Sequence, residues 1–78
     1  MPLKELITKV AQELVDEPAQ VSVTELEGGD HTLLELRVAK PDLGKVIGRE
    51  GRTAQALRSI LSATSAKLGR RAHLDIID

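Results

Sequence analysis

The sequence predicts a small α+β domain in which helices pack on one face of a three-stranded sheet. Three observations support this fold class. Apolar residues recur at helical spacing in two stretches of the 78-residue chain, they alternate with polar residues in three others, and a glycine pair separates two of the alternating stretches. The predicted order is helix, strand, strand, short helix, long helix, strand. Because Phe, Tyr and Trp are absent, the core must consist of aliphatic residues.

The first half of the chain predicts a helix followed by a β-hairpin. Apolar residues at i, i+3, i+4 and i+7 indicate an amphipathic helix, and Pro18 either ends this helix or lies just beyond its end. Alternating residues then indicate two strands, and the turn residues Gly28–Asp30 join them. The periodic residues are Leu3, Leu6, Ile7, Val10, Leu14 and Val15 in the helix, Val21 and Val23 in the first strand, and Leu34, Leu36 and Val38 in the second.

The second half predicts two helices and a closing strand. Pro41 suits the first position of a helix, which has room for about two turns before Gly48. A long helix begins at Arg52, and Gly69 is a plausible stop for it. Leu74 and Ile76 alternate with polar residues in the last strand. The periodic positions of the long helix are Ala54, Leu57, Leu61, Thr64 and Leu68.

Charge is segregated along a chain whose net charge is only −1. Residues 1–36 contain eight acidic and two basic residues, whereas residues 37–71 contain nine basic and two acidic residues. Such segregation marks either a polyanion-binding face or simply solvated surface. The absence of Phe, Tyr and Trp removes the rings on which RNA-recognition motifs and OB folds mainly stack bases.

A glycine-containing loop lies inside the basic segment, in the stretch Val46-Ile47-Gly48-Arg49-Glu50-Gly51-Arg52. Two glycines at the start of a helix expose backbone N–H groups, which favour an anion. Arg49 stands where a P-loop requires its second glycine, and Val46 stands where a dinucleotide fingerprint requires one. A G-x-x-G between two helices remains, and we expect a phosphate-contacting loop there.

The residues Val46–Gly51, their basic flanks and the surrounding element order resemble the KH domain. The additional N-terminal helix and strand are similar to the type II arrangement, and the short chain resembles the bacterial single-domain KH proteins of the KhpA family. The resemblance implies one KH domain over 1–78, with a core at about 31–78 and an N-terminal extension at 1–27. Departures from the family pattern are Ala54 at a usually bulky position and the acidic Glu50.

The resemblance implies that the loop clamps about four nucleotides of single-stranded RNA by their backbone. Bases would then face an aliphatic groove between the helices and the sheet edge. Val46, Ile47 and Leu57 are candidates for its floor, although plain core is the favoured interpretation. Arg58, Lys67, Arg70 and Arg71 are candidates to extend the basic track, although each by itself is better explained as solvated surface. The expected RNA-binding residues are Lys45, Val46, Ile47, Gly48, Arg49, Glu50, Gly51 and Arg52.

Catalysis, cofactors and metals find no support in the sequence. His31 and His73 lack metal-ligand spacing and there is no cysteine, while no nucleophile stands beside a plausible base and no Walker lysine is present. No apolar run approaches the roughly 18 residues of a membrane span and the charged start lacks a signal-peptide pattern, so we expect a cytoplasmic protein without membrane contact.

Two functions remain open from the sequence. The first is a non-catalytic RNA-binding protein, such as an RNA chaperone or post-transcriptional regulator. Its weak single contact would require a partner. The family resemblance implies a homodimer or a heteromer with a larger KH-containing protein. The second is a protein-interaction subunit whose fold makes little RNA contact, which Glu50 and the acidic N-terminal half favour.

Overall fold

The computed structural model describes residues 2–78 and has the predicted order of helices and strands, so the α+β fold class is confirmed. Met1 of the expected 1–78 domain lies outside the described residues. The elements are α1 (Pro2–Leu14), β1 (Ser22–Gly28), β2 (His31–Arg37), α2 (Leu43–Ile47), α3 (Arg52–Lys67) and β3 (Arg71–Ile77). Short 3₁₀ turns precede β1, α2 and α3 at Pro18–Gln20, Lys40–Asp42 and Arg49–Gly51.

The sheet has the strand order β1-β2-β3, with β2 in the centre. β1 and β2 form an antiparallel hairpin whose two-residue connection begins at Gly29, with a φ of +61° that favours glycine. β3 returns parallel to β2 because the α2–α3 unit crosses over between them. Consequently β3 is an edge strand, and α3 packs beside it.

The hydrophobic core lies on the helical side of the sheet and is entirely aliphatic. α1 contributes residues at helical spacing, the strands contribute every second residue, and α3 contributes one face. The opposite sheet face is more open, and Leu26 on it is 48% exposed. The completely buried hydrophobic residues are Leu3, Ile7, Ala11, Leu34, Leu36, Val46 and Leu61.

Several local predictions differ from the structure. Pro41 lies in a 3₁₀ turn rather than at the first position of α2, and Val38 follows the end of β2. On α3, Ser65 is buried, whereas Leu68 lies beyond the helix end and is 49% exposed. The reason is that the buried face of α3 continues from Leu61 to the residue four positions later, and not to Thr64 three positions later. The Ser65 hydroxyl donates a hydrogen bond to the Ser62 carbonyl (3.0 Å), so its burial leaves no unmet donor.

Gly69 ends α3, as the sequence predicts. Its φ is +71°, its N–H donates to the carbonyl of Ala66 (3.1 Å), and the N–H of Arg70 donates to the carbonyl of Ser65 (2.9 Å). These two bonds form a Schellman motif. The motif fixes the direction in which the chain leaves the helix and enters β3.

Candidate nucleic-acid interface

The Gly48–Gly51 loop is a tight backbone turn between α2 and α3. The Gly48 N–H donates to the Gly44 carbonyl (2.8 Å) and closes α2, and the Gly51 N–H donates to the Gly48 carbonyl (3.1 Å). Three of the four loop residues have a positive φ: 77° at Gly48, 56° at Glu50 and 74° at Gly51. The loop therefore places two helix ends within a few residues of each other, with its own backbone between them.

The two glycines are required for different reasons. Gly48 combines φ 77° with ψ 171°, a region that is essentially restricted to glycine. A Cβ atom there would also lie 2.8 Å from the Cβ and 2.9 Å from the backbone N of Thr53. Gly51 is left-handed, at φ 74° and ψ 13°, and a Cβ there would meet no atom within 4 Å. Gly48 thus fits the loop onto α3, whereas Gly51 leaves open space beside the loop backbone.

The N-terminus of α3 is available to an anion. Gly51 occupies the N-cap position, and no side chain of residues 2–78 caps this end. The first N–H groups of an α-helix lack intrahelical acceptors and carry partial positive charge. The Gly51 and Arg52 N–H groups already donate to the Gly48 and Arg49 carbonyls. The partial positive charge at this helix end, with the open space beside Gly51, therefore favours a phosphate there.

Glu50 is the one non-glycine residue with a positive φ among residues 2–78. A left-handed conformation costs such a residue roughly 1–2 kcal/mol. Its carboxylate lies 3.7 Å from Arg52 Nη2, and both side chains are exposed. Glu50 therefore stores backbone strain and places a negative charge in the middle of the loop that is expected to bind an anion.

The basic residues around the loop are not equivalent. Arg49 is exposed and forms no ion pair with the rest of the described chain. Lys45 Nζ lies 3.1 Å from Asp16 Oδ2 and 3.4 Å from Asp42 Oδ1. Hydrogen bonding and attraction from Asp16, with a further contribution from Asp42, raise the pKa of Lys45. Its charge is therefore already balanced, whereas that of Arg49 is free.

Asp42 anchors the start of α2 to the segment that follows α1. Its side chain is buried, and its Oδ2 accepts the Glu17 N–H at 3.0 Å. Burial raises the pKa of Asp42, but hydrogen bonds from the Glu17 and Asp16 backbone and from Lys45 outweigh burial and lower it overall. We call Asp16, Asp42 and Lys45 the acidic clamp. It fixes the base of the helix that carries the loop.

The apolar residues expected at the groove floor separate into core and surface. Val46 is completely buried and Leu57 is 2% exposed, so both belong to the core. Ile47 is 37% exposed and directly precedes Gly48, which leaves it accessible beside the loop.

A groove of about 270 Å³ follows the seam between α3 and the edge strand β3. The Arg58 Nε donates to the Leu74 carbonyl at 3.3 Å, which links the helix to the outer edge of the strand. The sequence indicated basic residues here but not their contacts, because the register of α3 against β3 is a tertiary property. The groove is lined by Arg58, Leu61, Ser62, Ala72, His73 and Leu74.

His31 and His73 lie on neighbouring strands with stacked rings, whose centroids are 5.8 Å apart. This pair was not predicted from the sequence, since the two residues are far apart in the chain and only the parallel register brings them together. No group of three His, Cys, Asp or Glu side chains suited to a metal ion occurs between residues 2 and 78. None of the helices described is long and apolar enough to cross a membrane.

A βααβ unit with a G-x-x-G loop between its helices, extended at the N-terminus by a helix and a strand, defines a KH domain of type II. The family model described as "KhpA/KhpB, KH domain" matches residues 4–76. The chain belongs to this KhpA/KhpB family of KH domains, as the resemblance of its loop indicated.

Comparisons with known proteins agree with this assignment. The chain is 49% identical over 76 residues to the RNA-binding protein KhpA of Aquifex aeolicus, and the match covers 97% of this chain and 96% of that protein. It is 47% identical over 74 residues to the RNA-binding protein KhpA of Borreliella burgdorferi, with 95% and 90% coverage. These relatives are named as RNA-binding proteins rather than as enzymes, in agreement with the expected lack of catalysis.

Solved structures of similar fold include Era, a much larger protein. Aquifex aeolicus Era bound to GDP and AlF4⁻ has a TM-score of 0.67 and 21% identity, and the match covers 95% of this chain but 29% of Era. Era in complex with MgGDPNP and a segment of 16S ribosomal RNA gives a TM-score of 0.65 at 20% identity, and the match covers 28% of that chain. At these identities, the likeness concerns the fold alone.

Proposed function

We propose that this chain is a non-catalytic RNA-binding protein that holds the backbone of single-stranded RNA at its Gly48–Gly51 loop. The observation that carries this proposal is the open backbone beside Gly51 at an uncapped helix N-terminus, in a chain whose curated relatives are named as RNA-binding proteins. Backbone N–H groups and the helix dipole favour a phosphate at this position without regard to base sequence.

The residues expected in the site have different roles in this proposal. Gly51 gives the sugar-phosphate backbone room to approach, and Gly48 holds the loop against Thr53. Arg49 supplies an unpaired positive charge, and Arg52 supplies another that Glu50 partly offsets. The other three expected residues support the loop. Lys45 is held in the acidic clamp and Val46 lies in the core, whereas Ile47 offers an apolar surface beside the loop.

The α3–β3 groove receives the bases in this proposal. It offers aliphatic and hydroxyl surface together with the Arg58 side chain, and it adjoins the outer edge of β3. Because the chain has no Phe, Tyr or Trp, it lacks the base–aromatic stacking that contributes roughly 1–3 kcal/mol per base in other single-strand binders. We therefore expect weak binding with little sequence preference.

Weak single-domain binding implies action with a partner. A second binding surface raises the effective concentration of RNA at the first, so linked modules gain affinity without new contacts. We propose that the protein acts in the cytoplasm as an RNA chaperone or post-transcriptional regulator. In this proposal it works as a homodimer or with a larger KH-containing protein.

A second candidate function is a protein-interaction subunit with little RNA contact. Glu50 favours it, since a carboxylate in the loop repels phosphate, and the acidic first half of the chain adds to that repulsion. The two functions differ in a direct way: only the first requires that an anion occupy the space beside Gly51.

Replacement of Gly51 tests that requirement. Asp and Asn both tolerate the left-handed conformation, and the open space accepts either side chain. We expect Gly51→Asp to weaken binding of a labelled oligouridylate at least tenfold in fluorescence anisotropy, because a carboxylate then occupies the phosphate position. Gly51→Asn introduces a side chain of nearly identical shape but without charge, so this variant should lose much less RNA affinity. If the folded Gly51→Asp variant binds RNA as tightly as the parent, the loop is not a phosphate clamp. That result would favour the second candidate function.

A further inference from the structure

Glu27, at the end of β1, forms an ion pair with Arg70 that links two distant parts of the chain. Arg70 Nη2 donates a hydrogen bond to Glu27 Oε1 at 2.9 Å, across 43 positions of the sequence. Arg70 belongs to the turn between α3 and β3, and it lines the groove beside Ser65 and Ala66. Glu27 does not line that groove, so its carboxylate approaches Arg70 from the hairpin side.

The backbone around this ion pair is held by other contacts. The Arg70 N–H donates to the Ser65 carbonyl at 2.9 Å, and the Arg71 N–H donates to the Asp30 carbonyl at 3.1 Å. Glu27 lies in β1, directly opposite Thr32 of β2 in the antiparallel register. Breaking the ion pair therefore releases two side chains without releasing either backbone. The structure accordingly does not depend on this contact to keep the turn in position.

Glu27 controls how much of the Arg70 charge is available to a ligand. The Arg70 side chain is 32% exposed, so its charge is partly shielded from water, whereas that of Glu27 is 52% exposed. A carboxylate at 2.9 Å opposes any second anion at the same guanidinium group. A partly exposed ion pair contributes little to stability, and an arginine can donate two parallel hydrogen bonds to a phosphate. Glu27 thus competes with a phosphate for Arg70, but a phosphate can displace it.

We propose that the Glu27–Arg70 ion pair is an autoinhibitory contact, in which Glu27 neutralises Arg70 until an RNA phosphate displaces it. The inference rests on the proposed function, since the phosphate belongs to a strand held at the Gly48–Gly51 loop. α3 separates that loop from Arg70, and its 16 residues are roughly 24 Å long.

This contact makes binding selective for an anchored strand. A small anion that meets Arg70 alone must displace Glu27 without any other contact. A strand already held at the loop presents its phosphates to Arg70 at a high effective concentration, and so displaces the carboxylate more readily. Glu27 therefore weakens the binding of every anion at Arg70, and it weakens the binding of small free anions most.

Removal of the Glu27 charge tests the inference. Fluorescein-labelled octauridylate is titrated with the parent, with Glu27→Gln, and with Glu25→Gln as the matched control. Glu25 lies two residues earlier on the same face of β1 and forms no ion pair with another described residue. We expect Glu27→Gln to raise the affinity roughly twofold to fivefold, as suits one partly exposed ion pair. Glu25→Gln should raise it much less.

Two further measurements show whether Glu27 acts through Arg70. In an Arg70→Gln background, Glu27→Gln should raise the affinity no more than Glu25→Gln does, because the charge that Glu27 withholds is gone. With Arg70 intact, Glu27→Gln should steepen the slope of log affinity against log salt by up to about 0.7, because Arg70 then releases a counterion when it binds a phosphate.

The outcomes separate this inference from the proposed function. Weaker RNA binding in Glu27→Gln would show that Glu27 positions Arg70 for RNA, and would overturn the autoinhibitory contact. Equal gains in the Glu27 and Glu25 variants, no gain in either, or a gain that persists without Arg70 would also overturn it. The loop clamp would still stand if Gly51→Asp weakened binding. If the parent does not bind octauridylate, both proposals fail. Circular dichroism of each variant confirms that the comparison concerns folded protein.

Discussion

Thr53 packs so closely on Gly48 that a Cβ atom at position 48 would lie 2.8 Å from the Thr53 Cβ. The contact joins the end of α2 to the first turn of α3, and thereby sets the shape of the loop between them. At Gly51 no such contact exists. The two glycines of one motif should therefore respond differently to the same substitution.

We expect Gly48→Ala to be far more destabilising than Gly51→Ala. The first combines a backbone region that only glycine occupies readily with a steric clash, each costing roughly 1–3 kcal/mol. The second adds only a left-handed alanine, at about 1–2 kcal/mol. Urea unfolding followed by circular dichroism measures both. Equal decreases in the free energy of unfolding would contradict the separate roles assigned to these two glycines.

Glu50 offers a test in which stability and affinity can be separated. Asn tolerates a left-handed backbone better than Glu does, and both Asn and Gln remove the charge. We expect Glu50→Asn to raise the free energy of unfolding by about 0.5–1 kcal/mol and to strengthen RNA binding. Glu50→Gln should strengthen RNA binding without the stability gain. Tighter binding in neither variant would show that the carboxylate does not face the RNA.

Arg49 and Lys45 should differ in their effect on salt dependence. For a single-stranded ligand, removing one contact to a phosphate reduces the slope of log affinity against log salt by about 0.7. We expect Arg49→Gln to show this reduction, because its charge is unpaired. Lys45→Gln should change the slope much less, since Asp16 and Asp42 already balance that charge. Equal changes in the two variants would contradict the assignment of the phosphate contact to Arg49.

The acidic clamp should make stability depend on pH at both extremes. The pKa of Asp42 lies below its ordinary value of 3.8, so its contribution is present above that pH and is lost as the pH falls through the folded-state pKa. The pKa of Lys45 lies above 10.5, so its contribution is present below that pH and is lost in stronger base.

Asp42→Asn tests this dependence. We expect the variant to be less stable than the parent at pH 7, and the difference in urea midpoint to narrow as the pH falls below the ordinary Asp pKa of 3.8. Asp75→Asn, which changes an exposed carboxylate outside the clamp, serves as the control and should follow the parent. A constant difference between Asp42→Asn and the parent across this pH range would contradict the clamp.

Local sequence patterns predicted those structural features that depend on interactions between residues close together in the chain. Periodicity located the helices and strands, and Gly69 located the end of α3, because each depends on residues close in the chain. The acidic clamp was not predicted, since it joins Asp16 to Lys45 through tertiary packing. For the same reason the ion pairs of Lys45, an expected RNA-binding residue, were not predicted. The stacking of His31 on His73 was not predicted either. Val46 was a candidate for the groove floor that the sequence explained better as core, and its complete burial agrees with core.

An NMR titration tests the central claim most directly. Oligouridylate is added to ¹⁵N-labelled protein, and the backbone amide shifts are followed. If the loop holds the RNA backbone, the largest shifts occur at the amides from Gly48 to Thr53, with smaller ones along α3 and β3. Saturable shifts confined to the open sheet face around Leu26 and His31, with loop amides unmoved, would contradict the claim.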